Sequence, residues 1–169
     1  MNSISIRLIE NRDRPALLDL LQSSRDFPQH LLQYHRPGGS HYRALGVWSA
    51  GELVGVLTGS FDSDFRESLA FDSFDPPPAP HAYLDRIHVH ENARGQGFGQ
   101  ELVHAYASLA ADRGCTFIGG QIDLSSDSTL RRRFFENLGF IIRTYDNFGA
   151  RPQDVQPRTR RRRGAETRE

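Results

Sequence analysis

The sequence contains no lysine and only one cysteine, Cys115. All 21 basic residues are therefore arginines, which excludes two common classes of enzyme. A Walker A loop needs a lysine on the nucleotide phosphates, and a pyridoxal-phosphate enzyme needs a lysine for its Schiff base. Because a single cysteine cannot form an internal disulfide, we expect a cytoplasmic protein in which Cys115 is buried packing and not an acyl-carrying nucleophile.

Long apolar runs are also missing. No stretch approaches the roughly 20 apolar residues that a membrane helix needs, and the N-terminal MNSISIRLIENRD alternates like a strand, unlike a secretory signal. The arginines are balanced by 21 acidic residues, so the formal net charge is zero. We therefore expect no membrane segment. We expect no binding to nucleic acid from this composition, because the net charge is zero and the basic run Arg160 to Arg163 is an isolated one at the end of the sequence.

The 169 residues suit one compact domain of mixed α/β class. Alternating patterns predict strands at 3–9, 82–89, 115–124 and 139–146 and a hairpin around Ser49-Ala50-Gly51. Helical spacing predicts helices at 11–22, 97–113 and 127–138, with a short helix inside 23–42. Residues 61–81 read as a long surface loop. The predicted domain covers 1–149, and 150–169 reads as a disordered, arginine-rich tail.

The stretch RGQGFG, residues 94–99, places three glycines after an arginine and before a helix. A Rossmann fingerprint would need a third glycine where Gln100 stands, and it would follow the first strand of the domain. A helix N-terminus offers unpaired amides to a phosphate, and glycines let that phosphate approach closely. The pattern thus favours a pyrophosphate site over a simple turn.

The same residues resemble a known signature. Val89, the run from Arg94 to Gly99 and Leu102 match the acetyl-CoA signature of the GCN5-related N-acetyltransferase (GNAT) superfamily, and FFENLGF at 134–140 resembles the family's Y-E-K-L-G-F ending. The resemblance implies a mixed, mostly antiparallel central sheet with helices on both faces. It also implies a V-shaped splay between the fourth and fifth strands.

The resemblance further implies transfer of an acetyl group from acetyl-CoA to a primary amine by direct attack within a ternary complex. The acceptor would be a small-molecule or peptide amine, and a homodimer is compatible with the family, although no interface stripe is legible. Main-chain groups near Val89 would bind the pantetheine arm and stabilise the developing oxyanion. The implied cofactor-binding residues are Ile87, His88, Val89, Arg94, Gly95, Gln96, Gly97, Phe98, Gly99, Ser128 and Phe135.

The chain departs from the family pattern at three positions. Glu91 replaces a common proline, and Ser128 replaces an asparagine. Phe135 replaces the tyrosine that protonates the leaving thiolate in many members. A different proton donor is then needed, either solvent or a hydroxyl group; the candidates are Ser125, Ser126, Ser128 and Tyr145. These departures motivate an alternative function, an acyl-CoA-binding module with weak or no catalysis.

The general base stays open between several residues. Asp85, on the fourth strand, is the first candidate for taking a proton from the acceptor ammonium; it would otherwise be a structural partner for Arg86. His81 and His88 are further candidates. His88 and His90 share a strand face, but no third ligand is evident, so no metal is expected.

The resemblance implies an acceptor surface opposite the CoA site. It would draw on the first helical region and on the acidic loop, which would favour a cationic substrate unless the loop is merely solvated. Arg131, Arg132 and Arg133 would reach a CoA phosphate or face water. The candidate acceptor residues are Phe27, His30, Tyr34, His35, His41, Tyr42, Asp62, Asp64, Glu67, Asp72 and Asp75.

Overall fold

The computed structural model describes residues 4–25, 43–124 and 128–156. These residues form seven strands and three α-helices. The strands are β1 (Ile4–Leu8), β2 (Arg43–Ser49), β3 (Glu52–Ser63), β4 (His81–Val89), β5 (Phe117–Gln121), β6 (Ile141–Ile142) and β7 (Asn147–Ala150). The helices are α1 (Arg14–Gln22), α2 (Phe98–Asp112) and α3 (Ser128–Asn137). Most of the segment 23–42, for which a short helix is predicted, lies outside the described residues.

The strands form one sheet in the order β1-β2-β3-β4-β5-β7-β6. Every neighbouring pair is antiparallel except β4 and β5, which are parallel. The predicted hairpin is confirmed: Ala50 and Gly51, with φ of 51° and 85°, turn the chain between β2 and β3. The predicted fold class, a mixed and mostly antiparallel sheet with helices, is therefore confirmed.

β4 and β5 separate soon after they meet. They pair at only three positions, from His81 opposite Phe117 to Tyr83 opposite Gly119. β4 also contains one extra residue against β3, because Thr58 lies opposite Arg86 whereas Gly59 lies opposite Leu84. Asp85 is the extra residue, and this β-bulge bends the strand where it leaves β5. The predicted splay between the fourth and fifth strands is thus present.

The main core lies on one face of the sheet. Leu102 and Tyr106 of α2 and Phe135 of α3 pack there against Leu57 of β3 and Leu84 of β4. Successive side chains of a strand point to opposite faces, so the neighbours of Leu57 and Leu84 face away from α2. The second face is therefore available for other elements.

That second face carries α1 and the segment 64–80. Leu17, Leu20 and Leu21 of α1 pack beside Val56 of β3. Further along the sheet, Phe65, Phe71 and Phe117 form a separate buried cluster, with Phe74 and Tyr83 against it. Residues 61–81 were expected to form a surface loop; instead β3 continues to Ser63, and aromatic residues of the following segment are buried.

Tyr106 ties the helix face to the strands at the bulge. Its ring is fully buried, and its hydroxyl lies 2.9 Å from the Ser60 carbonyl oxygen of β3 and 2.8 Å from the Tyr83 carbonyl oxygen of β4. The single hydroxyl proton is shared between these two acceptors. A side chain on Gly59 would collide with this hydroxyl, which explains the glycine there.

The end of the domain differs from the sequence-based expectation in three ways. The predicted strand 139–146 is broken, because Tyr145 and Asp146 both adopt φ of 58° and turn the chain from β6 into β7. Leu130 lies at helical spacing from Phe134 and Leu138, which predicts a shared buried face, but it is 62% exposed. Pro152 and Val155 are buried, and the Gln156 amide donates to the Leu138 carbonyl. Packing thus continues from residue 150, where a tail was expected, to residue 156; residues 157–169 lie outside the described part.

No helix within the described ranges has both the length and the apolar character needed to cross a bilayer.

Replacing Tyr106 by Phe removes the hydroxyl and leaves two strand carbonyls without their donor. Such an unsatisfied buried group costs about 1–3 kcal/mol. We expect Tyr106→Phe to lower the free energy of unfolding by that amount in urea denaturation. Tyr145→Phe, which removes a hydroxyl from a side chain 78% exposed, is the matched control and should leave stability unchanged. Equal stability of the two variants would contradict the anchoring role.

Arg7 and Asp13 join β1 to the start of α1. Arg7 donates two hydrogen bonds to Asp13, of 2.6 and 2.8 Å, and the Glu10 amide donates a third. The bonds from Arg7, followed by the bond from Glu10, hold the pKa of the Asp13 carboxyl well below its usual range. A lowered folded-state pKa means that this stabilisation is complete above the unfolded pKa and is lost as the pH falls.

We therefore expect Asp13→Asn to reduce the unfolding free energy by about 1–2 kcal/mol at pH 7, a value discounted for the exposure of Arg7. The difference from the wild type should shrink below about pH 4, the unfolded pKa. Denaturation curves from pH 7 to pH 2.5 measure this, with the exposed Glu52→Gln as control. A difference that stays constant with pH would show that the ion pair is not its cause.

Candidate active site

A groove of about 340 Å³ lies between the end of β4 and the start of α2. Val89 of β4 and Phe134 of α3 form its apolar walls, and all residues of the stretch RGQGFG except Gln96 line it. Gly95 and Gly97 have φ of 76° and 89°, which side-chain-bearing residues rarely adopt. A Cβ on Gly95 would meet no atom within 4 Å, so its α-carbon faces open space.

Gly97 is the N-cap of α2. The first amides of a helix have no acceptor within the helix, and glycine has no side chain that could cap them. The first regular helical bond here runs from the Glu101 amide to the Gly97 carbonyl. The amides of Phe98 and Gly99 are therefore directed towards the groove end of α2, with the positive end of the helix dipole behind them.

The edge of β4 that β5 leaves supplies further main-chain groups. The His90 amide donates to Val54 of β3, and in an antiparallel pair the residues that bond to the neighbour alternate with residues that do not. Ile87 and Val89 consequently direct their amide and carbonyl groups away from β3. One of these main-chain groups already has a partner, because the Arg94 Nε donates to the Val89 carbonyl at 3.1 Å.

Two residues predicted to bind the cofactor lie differently from the others. Phe135 is 8% exposed and stacks on Phe148 at a centroid distance of 3.9 Å, so it belongs to the main core. Its neighbour Phe134 lines the groove instead, and it would be in van der Waals contact with a Cβ on Gly99. Ser128 begins α3 and is half-buried. Phe135, which stands where many family members have tyrosine, therefore has a packing role in the main core.

Asp85 occupies the bulge of β4. Thr58 Oγ1 donates to its Oδ2 at 3.4 Å, and the Arg86 Nε lies 3.7 Å from the same oxygen. The side chain retains 30% of its exposure. Asp85 is thus both a partner of Arg86 and a partly accessible carboxylate, so the two interpretations of this residue coexist.

His81 has a structural role. It is fully buried; its Nδ1 accepts from the Phe65 amide at 2.8 Å, and its Nε2 lies 2.7 Å from the Pro77 carbonyl oxygen. Both ring nitrogens are engaged, which requires the neutral tautomer with the proton on Nε2. His81 therefore has no free lone pair for a substrate proton, and we remove it from the candidate bases.

His88 and His90 do not form part of a recognisable metal site. His90 Nδ1 accepts from the Asn92 amide at 3.3 Å. No cluster of three or more His, Cys, Asp or Glu side chains suited to a metal occurs among residues 4–25, 43–124 and 128–156.

A second cavity, of about 540 Å³, opens on the α1 face of the sheet. Tyr145, predicted as a proton donor, is 78% exposed at its rim, and Gln121 of β5 donates to the Tyr145 carbonyl at 3.2 Å. The residues that line it include Leu69, Phe71, Tyr83, Gln121, Tyr145 and Asn147. Tyr145 lines this cavity, whereas the RGQGFG stretch lines the groove; the structure does not bring the two into one cavity.

The acidic loop does not gather its carboxylates at either cavity. Asp62, Asp64, Glu67, Asp72 and Asp75 are all exposed, and none lines the groove or the second cavity. Hydrogen bonds from Arg66 lower the pKa of Asp64 to about 2. The candidate acceptor residues between Phe27 and Tyr42 lie outside the described residues, as do Ser125 and Ser126.

The three arginines of α3 and Cys115 lie in different environments. Arg131 binds the carboxylate and carbonyl of Asp123, and Arg132 binds Asp146, whereas Arg133 is exposed. Cys115 is 5% exposed, and burial raises the pKa of its thiol, which disfavours the thiolate. Its predicted packing role agrees with this environment.

Sequence reasoning missed Phe134 and the second cavity. Phe134 and Phe135 precede Leu138 by four and three residues, and both spacings fit one face of a helix, so the periodicity does not indicate which phenylalanine is buried. The cavity joins residues from four separate parts of the chain, and no local pattern marks it.

A family model described as "Acetyltransferase (GNAT) family" matches residues 6–140. Solved structures with a similar fold include the ribosomal-protein-S18-alanine N-acetyltransferase from Escherichia coli, with 18% identity and a TM-score of 0.62 over 87% of this chain and 90% of that one. The PaiA N-acetyltransferase from Thermoplasma acidophilum in complex with coenzyme A has 14% identity and a TM-score of 0.64 over 88% and 99%.

An aminoglycoside 6'-N-acetyltransferase from Acinetobacter haemolyticus has 18% identity and a TM-score of 0.61 over 81% of this chain and 90% of that one. At these identities the solved structures show a shared fold. No curated protein sequence shows significant similarity to this chain. The family model spans most of the described fold, including the glycine-rich loop and β4, and the chain belongs to the acetyltransferase (GNAT) family.

Proposed function

We propose that this protein is an N-acetyltransferase that moves an acetyl group from acetyl-CoA to a primary amine by direct attack within a ternary complex. The observation that carries the proposal is the groove at the start of α2, where open glycines and helix amides meet the unpaired edge of β4. The family match supports the acetyltransferase class. The structure of the PaiA N-acetyltransferase in complex with coenzyme A supports the choice of cofactor.

The residues of the groove fit the pyrophosphate of coenzyme A. The open space over Gly95 admits phosphate oxygens up to the main chain, and the α2 amides provide donors with a favourable dipole. Arg94 is exposed beside them and would add a charge-assisted bond. When bound there, acetyl-CoA supplies an acetyl group activated as a thioester.

The free edge of β4 would bind and orient the pantetheine arm. Ile87 and Val89 present main-chain donors and acceptors on the side that β5 leaves, spaced two residues apart. The Val89 amide is fixed by the β3–β4 ladder before substrate arrives. Such a preorganised donor would stabilise negative charge that develops on the carbonyl oxygen during attack.

Asp85 would accept the proton that the acceptor ammonium must lose. Thr58 and Arg86 hold the carboxylate in place, and its partial exposure leaves it reachable by an amine or by a bridging water. It lies on β4 two residues before Ile87, so the proton acceptor and the pantetheine-binding edge belong to one strand. The leaving thiolate would take its proton from Tyr145 or from solvent, because Phe135 has none to give.

Replacing Gly95 by Ala tests the pyrophosphate role. The methyl group enters space that no protein atom fills, so its principal effect beyond backbone strain is to obstruct a ligand at the main chain. We expect acetyl-CoA affinity, measured by calorimetry, to fall at least about tenfold, since contacts with the loop amides are lost.

Gly51→Ala is the matched control for Gly95→Ala. Gly51 also has a positive φ, 85°, and empty space around its α-carbon, but it lies in the β2–β3 turn. Both variants should lose about 1–2 kcal/mol of stability from the left-handed backbone, and only Gly95→Ala should lose affinity. Unchanged acetyl-CoA affinity in Gly95→Ala would remove this loop from the binding site.

Replacing Asp85 by Asn tests the general base. The amide keeps the shape of the side chain but cannot take a proton at neutral pH, so turnover should fall by about 10² or more. Acetyl-CoA affinity should stay within about twofold of the wild type. Free thiol release from acetyl-CoA with an accepted amine measures turnover, and Asp112→Asn, an exposed acid at the end of α2, is the control. Near-normal turnover in Asp85→Asn would leave Asp85 as a structural partner of Arg86.

A further inference from the structure

The second cavity is positioned where β4 and β5 part. Tyr83 is the last residue of β4 that pairs with β5, and Gln121 is the last residue of β5. Tyr83 packs with the aromatic cluster on the α1 face, so the cavity opens on the face opposite the groove. The splay therefore has the groove on one side and this cavity on the other.

The cavity also lies beside the candidate base. Asp85 follows Tyr83, which lines the cavity, by two residues along β4; because Asp85 is the bulge residue, its contact with Thr58 and not strand alternation gives the direction of its side chain. Asp85 contacts Thr58, which itself lies two residues from Val56 on the α1 side of β3. A molecule in the cavity would consequently have its nearer end close to Asp85.

The walls of the cavity are aromatic, apolar or neutral. Phe71, Tyr83 and Tyr145 provide rings, Leu69 provides an apolar rim, and none of the described residues that line the cavity carries a charge. The volume of about 540 Å³ suits a small organic molecule. Apart from Asp85 near one end, a polycationic amine would find no carboxylate among the described lining residues to replace its hydration.

Neutral amides brace these walls. The Asn147 side chain donates to the carbonyls of Ala70 and Thr144, at 2.9 and 3.1 Å, so it links the segment 64–80 to the turn before β7. Gln121 fixes the Tyr145 carbonyl in the same turn. Leu69 and Tyr145 are nevertheless 88% and 78% exposed. Two large apolar side chains held open at the rim of a braced cavity indicate a surface that a ligand covers.

We propose that the acceptor is a small primary amine that carries an aromatic ring, with the ring seated between Tyr83, Tyr145 and Leu69 and the amine directed towards Asp85. This inference rests on the proposed function. The amine nitrogen forms a bond to the acetyl carbon as the carbon–sulfur bond breaks. Asp85 takes one of the two protons that the ammonium nitrogen loses, and the second balances the proton that the leaving thiolate gains, through Tyr145 or solvent, to become coenzyme A.

The test compares two amines in the thiol-release assay, 2-phenylethylamine and spermidine. We expect kcat/KM to be at least about tenfold higher for 2-phenylethylamine, because only its ring gains contact with the cavity walls. Leu69→Ser should raise KM for 2-phenylethylamine by about tenfold. Ile4→Ser makes the same kind of apolar-to-polar change at an exposed residue of β1 and should leave this KM unchanged.

Tyr145 provides a second test, which separates its ring from its hydroxyl. Tyr145→Phe should preserve KM for 2-phenylethylamine whatever its effect on kcat. Tyr145→Asn, which tolerates the positive φ, should raise KM. A loss of kcat alone in both variants would assign the residue to proton donation and would overturn its role in the cavity.

The outcomes separate this inference from the proposed function. Thiol release that prefers spermidine, or a KM unaffected by Leu69→Ser, would overturn the aromatic acceptor while leaving an acetyltransferase. Failure of acetyl-CoA to bind in calorimetry would overturn the proposed function itself. Acetyl-CoA binding without thiol release on either amine would overturn the aromatic acceptor and favour an acyl-CoA-binding module.

Discussion

The hydroxyl of Tyr106 is the interaction around which the site is arranged. It joins a carbonyl of β3 to a carbonyl of β4 at the place where the two strands are out of register by one residue. β4 pairs with β5 as far as Tyr83, whose carbonyl Tyr106 holds, and then departs from it. The anchor therefore coincides with the point at which the sheet opens, and both cavities lie beside that opening.

The same helix connects this anchor to the groove. Tyr106 lies eight residues after Phe98, the first residue of α2, which corresponds to about 12 Å along the helix axis. Fixing the middle of α2 against the sheet therefore fixes its N-terminus beside the free edge of β4. A helix N-terminus alone would be a weak reason to assign an anion site. Here it is combined with positive-φ glycines and with a strand edge that has no neighbour.

The parts of the site that the sequence predicts are local. Gly95 and Gly97 reveal the loop because a positive φ restricts residue choice, and the helix after them has an apolar stripe that marks its buried face. The resemblance to the GNAT signature predicts the sheet and the splay between its fourth and fifth strands. What could not be predicted depends on contacts between distant residues: His81 is engaged by Phe65, 16 residues away. Likewise, Tyr145 and Asp146 adopt a turn conformation with positive φ that neither residue type predicts.

We propose above all that the start of α2 and the free edge of β4 together bind acetyl-CoA. Amide chemical shifts of the ¹⁵N-labelled protein, followed during an acetyl-CoA titration, test it most directly. The claim predicts that Gly95, Gly97 and Gly99 shift together with Ile87 and Val89 along one saturable curve. Shifts confined to other parts of the chain, or no shifts at saturating acetyl-CoA, would contradict it.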